Sequence, residues 1–295
     1  MDLTAQIEVK ALAKEFGKII INSDKINIFQ VDKQLIIDLF KEYGVLLFRG
    51  FKAECDEFLE FSNSLSADFM DYIGGYVKRQ EINGNPSLLT VNDFSSAIKL
   101  HGEMYYQKHH PAMIWFYCNQ PPLKDGQTIV CDGKQFYKEL SDSLKNLFQQ
   151  KKLKYPSKLS KNDWQIRYKT ENIKTAIQIC LDNDLEVKVN EDESMSRVYT
   201  CPAVYPSRSQ EDLVFINSLL PAQAVNRNLV RFDDDSEISK EIISELNAIA
   251  EQITVEINWQ KGDILMIDNE RIMHGRRAFS DNQRDIYIRL CSLGF

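Results

Sequence analysis

Apolar residues recur at helical spacing in DKQLIIDLFKEYG (32–44), where Leu35, Ile36, Leu39 and Phe40 share a face and Gly44 is a stop signal. CDEFLEFSNSLS (55–66) and GKQFYKELSDSLKNLFQQ (133–150) read as two further amphipathic helices. The clearest helix is DSEISKEIISELNAIAEQI (235–253), with Asp235 or Ser236 as cap and Ile238, Ile242, Leu246 and Ile249 along one side. Between them the period changes. VLLFRGF (45–51), AMIWFYC (112–118), QTIVCD (127–132) and ILMID (264–268) read as buried strands, and ITVEINW (253–259) and RDIYIRLCSLGF (284–295) alternate. Many strands with a few covering helices predict a mainly β fold, a sandwich or barrel with helices packed outside. No linker rich in Pro, Gly or Ser divides the chain, so residues 1–295 are expected to form a single domain. The polar, mixed stretch at about 155–205 is expected to be a lid or insert.

Composition narrows the function. The chain has 295 residues, 43% hydrophobic and 27% charged, with a formal net charge of -7. That balance argues against nucleic acid or an anionic membrane as partner, since both attract concentrated positive charge. No apolar run approaches a membrane span, and MDLTAQIEVKALAKEF lacks the apolar core of a signal peptide. The six cysteines (Cys55, Cys118, Cys131, Cys180, Cys201 and Cys291) include no CxxC pair. Free thiols in a reducing, cytoplasmic setting are the expectation.

The chemistry begins at HGEMYYQKHHP (101–111). On a strand, positions i and i+2 face the same way, so His101 and Glu103 would present an imidazole and a carboxylate side by side. A second histidine completes a two-histidine, one-carboxylate set, which leaves adjacent positions on Fe(II) open. His274 follows the apolar strand in GDILMIDNERIMHGRRAF. The other two of the four histidines, His109 and His110, are neighbours that face opposite ways on extended chain, and read as rim residues. Trp115 and Phe116 sit in an apolar strand and read as core.

HGEM at 101, PPLKDGQTIVCDG at 121 and GDILMIDNERIMHGRRAF at 262 resemble, in that order, the TauD/TfdA (taurine dioxygenase-like, clavaminate synthase-like) Fe(II)/2-oxoglutarate-dependent oxygenases. YGVLLFRGF at 43 and GGYVKR at 74 match more loosely. The resemblance implies a double-stranded β-helix (jelly-roll) core and carries the metal ligands onto His101, Glu103 and His274. It gives Thr128 a hydroxyl contact with 2-oxoglutarate. It implies an oxygenase that uses Fe(II), 2-oxoglutarate and O2 to hydroxylate, desaturate or cyclise at an unactivated C–H bond, with release of succinate and CO2. Glu103 stands where halogenating relatives carry a small residue, so halogenation is not expected. Tyr76, Arg79, Met104, Tyr105 and Arg276 (or Arg277) lie near the motifs and suit a small amino-acid-derived or natural-product intermediate, free or tethered to a carrier protein. The competing reading is a sensor that holds metal and 2-oxoglutarate on the same scaffold without turnover. Oligomeric state is not legible.

The resemblance also requires an arginine after His274 to hold the far carboxylate of 2-oxoglutarate through a two-pronged pair. The candidates are Arg284 and Arg289. In RDIYIRL, Ile286, Ile288 and Leu290 share a face with Arg284, and Asp285, Tyr287 and Arg289 share the other. If the apolar face packs against outer helices, Arg289 points into the barrel, and it is favoured on that ground, with Arg284 second.

Overall fold

The computed structural model describes residues 7–70, 72, 79–92, 94–226 and 229–295. Two compact units emerge, one of residues 1–98, 111–132 and 254–295, the other of residues 99–110 and 133–253. The chain leaves and re-enters the first unit, so the strands predicted at its start, middle and end are brought together there.

The first unit holds a nine-stranded sheet. Its order is Ile7–Ala11, Lys18–Asn22, Val45–Arg49, Ile264–Asp268, Met113–Gln120, Asp285–Leu293, Asn85–Thr90 and Glu81–Ile82, with Ser66–Ala67 pairing Asp285–Leu293 off that path. Pairing is antiparallel except between Lys18–Asn22 and Val45–Arg49. A four-stranded sheet has the order Val255–Ile257, Thr128–Asp132, Ile272–Arg276 and Ile98–His101. The rings of Phe116 and His274, from the two sheets, meet at 5.6 Å. The core is therefore a jelly roll, as the alternating pattern and the resemblance implied. AMIWFYC and QTIVCD fall in different sheets.

The central strands are apolar on both faces because both are covered. Met113, Trp115, Tyr117, Ile264 and Met266 join a cluster with Ile36, Phe40, Phe58, Phe61 and Leu65 of the helices Lys33–Tyr43 and Cys55–Leu65. The first helix is bounded as predicted. Asp32 accepts the Leu35 N–H at 2.7 Å, and Gly44 takes φ 72°, a left-handed conformation that glycine adopts without strain.

This cluster reverses the expectation for the last strand. Tyr287 and Cys291 belong to it, so the parity of Arg289 faces the helices, and Ile286, Ile288 and Leu290 occupy the opposite, inner face. The inner face of a closed sandwich is its core, and that is where the apolar residues went. The Arg289 guanidinium donates to Leu59 O, Ser62 Oγ, Asn63 Oδ1, Ser87 O and Ser87 Oγ, and lies 3.5 Å over the Phe69 ring. All three of its nitrogens are engaged. Arg289→Ala removes these donors from a site 3% exposed and leaves their acceptors unpaired. It is expected to lower unfolding stability by about 2–4 kcal/mol, read from a denaturant midpoint, with little change in the 2-oxoglutarate requirement.

Two helix boundaries also differ. The stretch 133–150 forms two helices, Gly133–Glu139 and Asp142–Gln150, because Ser141 caps the second by accepting the Leu144 N–H. The 235–253 helix begins only at Lys240, where Ser239 Oγ accepts the Ile242 N–H. Neither Asp235 nor Ser236 caps it, since Ser236 is tied to the Asp234 carboxylate in the preceding turn.

In the second unit, residues 155–205 are regular structure. Leu153–Leu159, Leu185–Val189, Met195–Cys201 and Arg231–Phe232 make a four-stranded sheet. Helices Lys161–Tyr168 and Ile173–Asp182 close over it through Trp164, Ala176, Cys180 and Met195, all nearly inaccessible. All six cysteines are free thiols. Among the described residues no helix is long and apolar enough to cross a membrane.

Candidate metal centre and co-substrate pocket

His101 and Glu103 come together by a route the sequence argument did not contain. The strand Ile98–His101 ends at His101, and Glu103 stands in the turn that follows, so strand parity does not pair them. The turn is held instead. Gly102 N–H donates to Asn217 O at 2.9 Å, and Ser218 Oγ–H donates to Gly102 O at 3.0 Å. Met104 takes φ 64°. Glu103 is 2% exposed, and its Oε2 lies 3.7 Å from His101 Nε2. His101 Nδ1 lies 2.8 Å from Lys99 O, which assigns the proton to Nδ1 and leaves the Nε2 lone pair facing the carboxylate. This carbonyl contact orients an imidazole as metal-binding histidines require.

Gly102 has no room for a side chain. A Cβ there would stand 2.5 Å from Tyr105 Cδ2 and 2.7 Å from Ile216 Cγ1. The ring it would strike is itself fixed, stacked on His110 at 4.1 Å and edge-on to Tyr205 at 5.4 Å. Gly102→Ala is therefore expected to displace Glu103 from His101 and weaken Fe(II) binding by about tenfold or more, measured by anaerobic metal titration.

His274 sits mid-strand in Ile272–Arg276, paired with Val130 and 5% exposed. One ligand atom from each of His101, Glu103 and His274 lies within 4.8 Å of the others. Two imidazoles and a carboxylate so converged are a donor set for a divalent transition metal with open positions.

Thr128 and Arg276 are register partners beside His274. Thr128 Oγ1 accepts the Trp259 Nε1–H at 3.0 Å, which leaves its own hydroxyl proton to donate. Trp259 was not singled out from sequence, although the alternation of ITVEINW placed it on one face with Ile257. Arg284 precedes the last strand, where the register shifts between Asp285 and Ile286. Its Nε donates to Gly126 O and its Nη1 to Asn92 Oδ1 and Val91 O, while Nη2 makes no hydrogen bond among the described residues. Burial, with Arg276 alongside, pushes its pKa down to about 9. The guanidinium stays charged, with Asp281 and Asp285 offsetting part of the effect.

The remaining candidates are placed as follows. Arg276 donates to Val91 O, Phe94 O and Ser96 O between the rings of Phe94 and Phe279, so it holds those three carbonyls. Arg277 pairs with Glu256 at 2.7 Å. Arg79 lies over the Tyr72 ring at 4.1 Å. Met104 and Tyr105 are buried, as are Trp115 and Phe116. Tyr76 lies outside the described residues.

The jelly-roll core and the convergence of His101, Glu103 and His274 are the parts of a non-haem iron oxygenase. The family model of the taurine catabolism dioxygenase TauD, TfdA family matches residues 8–291, and the chain belongs to that family. It is 26% identical over 283 residues to a clavaminate synthase-like protein of Arabidopsis thaliana, covering 89% of this chain and 86% of that one. It is 24% identical over 277 residues to the dapdiamide synthesis protein DdaC of Enterobacter agglomerans, covering 86% and 84%. Among solved structures, PvcB of Pseudomonas aeruginosa superposes with a TM-score of 0.64 over 97% of this chain and 91% of that chain. At 13% identity that likeness concerns the fold. The protein is an Fe(II)- and 2-oxoglutarate-dependent dioxygenase.

Proposed function

We propose that the protein oxidises an unactivated C–H bond of a small amino-acid-derived or natural-product intermediate, with His101, Glu103 and His274 as the iron ligands. The observation that carries the metal assignment is the convergence of those three donors within 4.8 Å. The substrate class is supported by the dapdiamide synthesis protein among the relatives and by PvcB, described as an oxygenase from an isonitrile synthetic pathway. Six free thiols fit a reducing, cytoplasmic setting.

Each residue has a definite task in this reading. Ferrous iron with 2-oxoglutarate supplies, when bound, the power to activate O2 and oxidise the C–H bond. Lys99 O holds the Nδ1 proton of His101 and so presents Nε2 to the metal. Thr128 donates its hydroxyl proton to a carboxylate oxygen of 2-oxoglutarate while Trp259 fixes its oxygen. Arg284 meets the far carboxylate through its uncommitted Nη2, with Gly126 O and Asn92 Oδ1 holding the fork in place. The choice of Arg284 over Arg289 replaces the expectation from strand parity, because Arg289 is saturated on the helix side of the sheet.

The test is succinate formation in the presence of Fe(II), O2 and 2-oxoglutarate across amino acids, N-acyl amino acids and their carrier-bound forms. Mass spectrometry then looks for a product with one added oxygen or two fewer hydrogens. Substrate-stimulated succinate with such a product is the expected result. Strong stimulation only by sulfonates or by phenoxyacids, with none from the amino-acid panel, would overturn the substrate class.

A further inference from the structure

The second unit holds an opening lined by none of the side chains assigned above to iron or 2-oxoglutarate. It is a cleft of about 410 Å³ between the start of helix Lys240–Ile253, the helix Leu219–Val225 and the strand residue Lys99. That volume falls in the range of about 300–1,000 Å³ usual for small-molecule pockets.

Its lining has three features that belong together. The floor is apolar, with Leu220 and Ile238 buried and Ile243 half-buried. Two cations, Lys99 and Lys240, line it with no acid among the described lining residues, in a chain with 43 acidic and 36 basic residues. Neither ammonium has an ion-pair or hydrogen-bond partner among the described residues, so both are open to an anion. Lys240 stands in the first turn of its helix beside Glu241, which also lies in that turn and is not among the described lining residues. The third feature is Asn247. Its Nδ2 donates to Ile243 O at 2.7 Å, which fixes the amide orientation, and its Oδ1 is buried with no donor among the described residues. A buried acceptor left unpaired costs about 1–3 kcal/mol, and a ligand N–H removes that penalty.

We infer that this cleft binds an amphipathic carboxylate that carries an amide N–H, of the class of N-acylated amino acids. The carboxylate meets Lys99 and Lys240, the N–H meets Asn247 Oδ1, and the acyl chain covers Leu220, Ile238 and Ile243. The inference does not depend on the iron chemistry. Lys99 nevertheless contributes the carbonyl that orients His101, so the occupant sits on the strand that ends in that histidine.

The test uses full-length protein without iron or 2-oxoglutarate and titrates N-hexanoylglycine by calorimetry. Saturable binding is expected, weakening as salt is raised. Lys99→Met and Lys240→Met should each weaken it about fivefold, the effect of one partly exposed charge pair. The methyl ester of the same probe, added to wild type, should bind at least about fivefold more weakly, and this arm does not rely on any variant folding. Absence of saturable binding to wild type, equal affinity for acid and ester, or unchanged affinity in the Lys99→Met, Lys240→Met double variant would overturn the assignment. Because iron is absent, failure here leaves the oxygenase reading untouched, and failure of that reading leaves this one testable.

Discussion

Arg284→Ala is expected to raise the 2-oxoglutarate concentration needed for half-saturation by about a hundredfold or more while Fe(II) still binds. Removing one partner of a buried charged pair costs about 3–5 kcal/mol, and each 1.4 kcal/mol is about tenfold in affinity. Arg284 is 4% exposed, so its charge is poorly screened. Its Nε and Nη1 are anchored to Gly126 O and Asn92 Oδ1, which pre-orients the fork toward a ligand. Arg284→Lys should recover only part of the loss, because an ammonium has no planar fork. The control is Arg289→Ala, whose loss should appear in stability and not in co-substrate affinity. Steady-state succinate assays across 2-oxoglutarate concentrations separate the two. A co-substrate defect confined to Arg289→Ala would restore the parity argument and reject the one made from the structure.

His274→Ala is expected to reduce turnover by more than about a thousandfold, because loss of a direct ligand exceeds the roughly 10–100-fold effect of an outer-shell partner. His274 is mid-strand between well-packed neighbours, with Met273 and Ile272 inaccessible, so the fold should survive. His101→Ala should be equally severe. Far-ultraviolet circular dichroism, unchanged beside the loss of succinate, would place the defect in the metal centre. Retained turnover in either variant would remove that residue from the ligand set.

The three converging residues were legible because metal chemistry restricts the residue types so sharply. Few histidines in the chain, one of them two residues from a glutamate, left little choice. The geometry behind them was not legible. His101 and Glu103 are joined through a turn held by Asn217 and Ser218, more than a hundred positions away, and no local pattern announces such a contact. The side on which Arg289 lies was misread for a related reason. Alternation in RDIYIRL separates two faces but does not say which lies inside, and both sides of this strand are covered, one by the opposite sheet and one by helices. Arg289 found its acceptors on the helix side. The end of helix Lys33–Tyr43 was readable because its Gly44 stop is local in sequence. The Lys240 start was not, because Ser236 was drawn into a turn with Asp234.

The measurement closest to the central claim is the visible absorption of the anaerobic protein after Fe(II) and then 2-oxoglutarate are added. Chelation of the co-substrate by iron held on His101, Glu103 and His274 should produce a weak, saturable charge-transfer band. His101→Ala and His274→Ala should abolish it, and Arg284→Ala should shift its appearance to much higher 2-oxoglutarate. A wild-type protein that shows no band at saturating iron and 2-oxoglutarate, or alanine variants that retain it undiminished, would contradict the account.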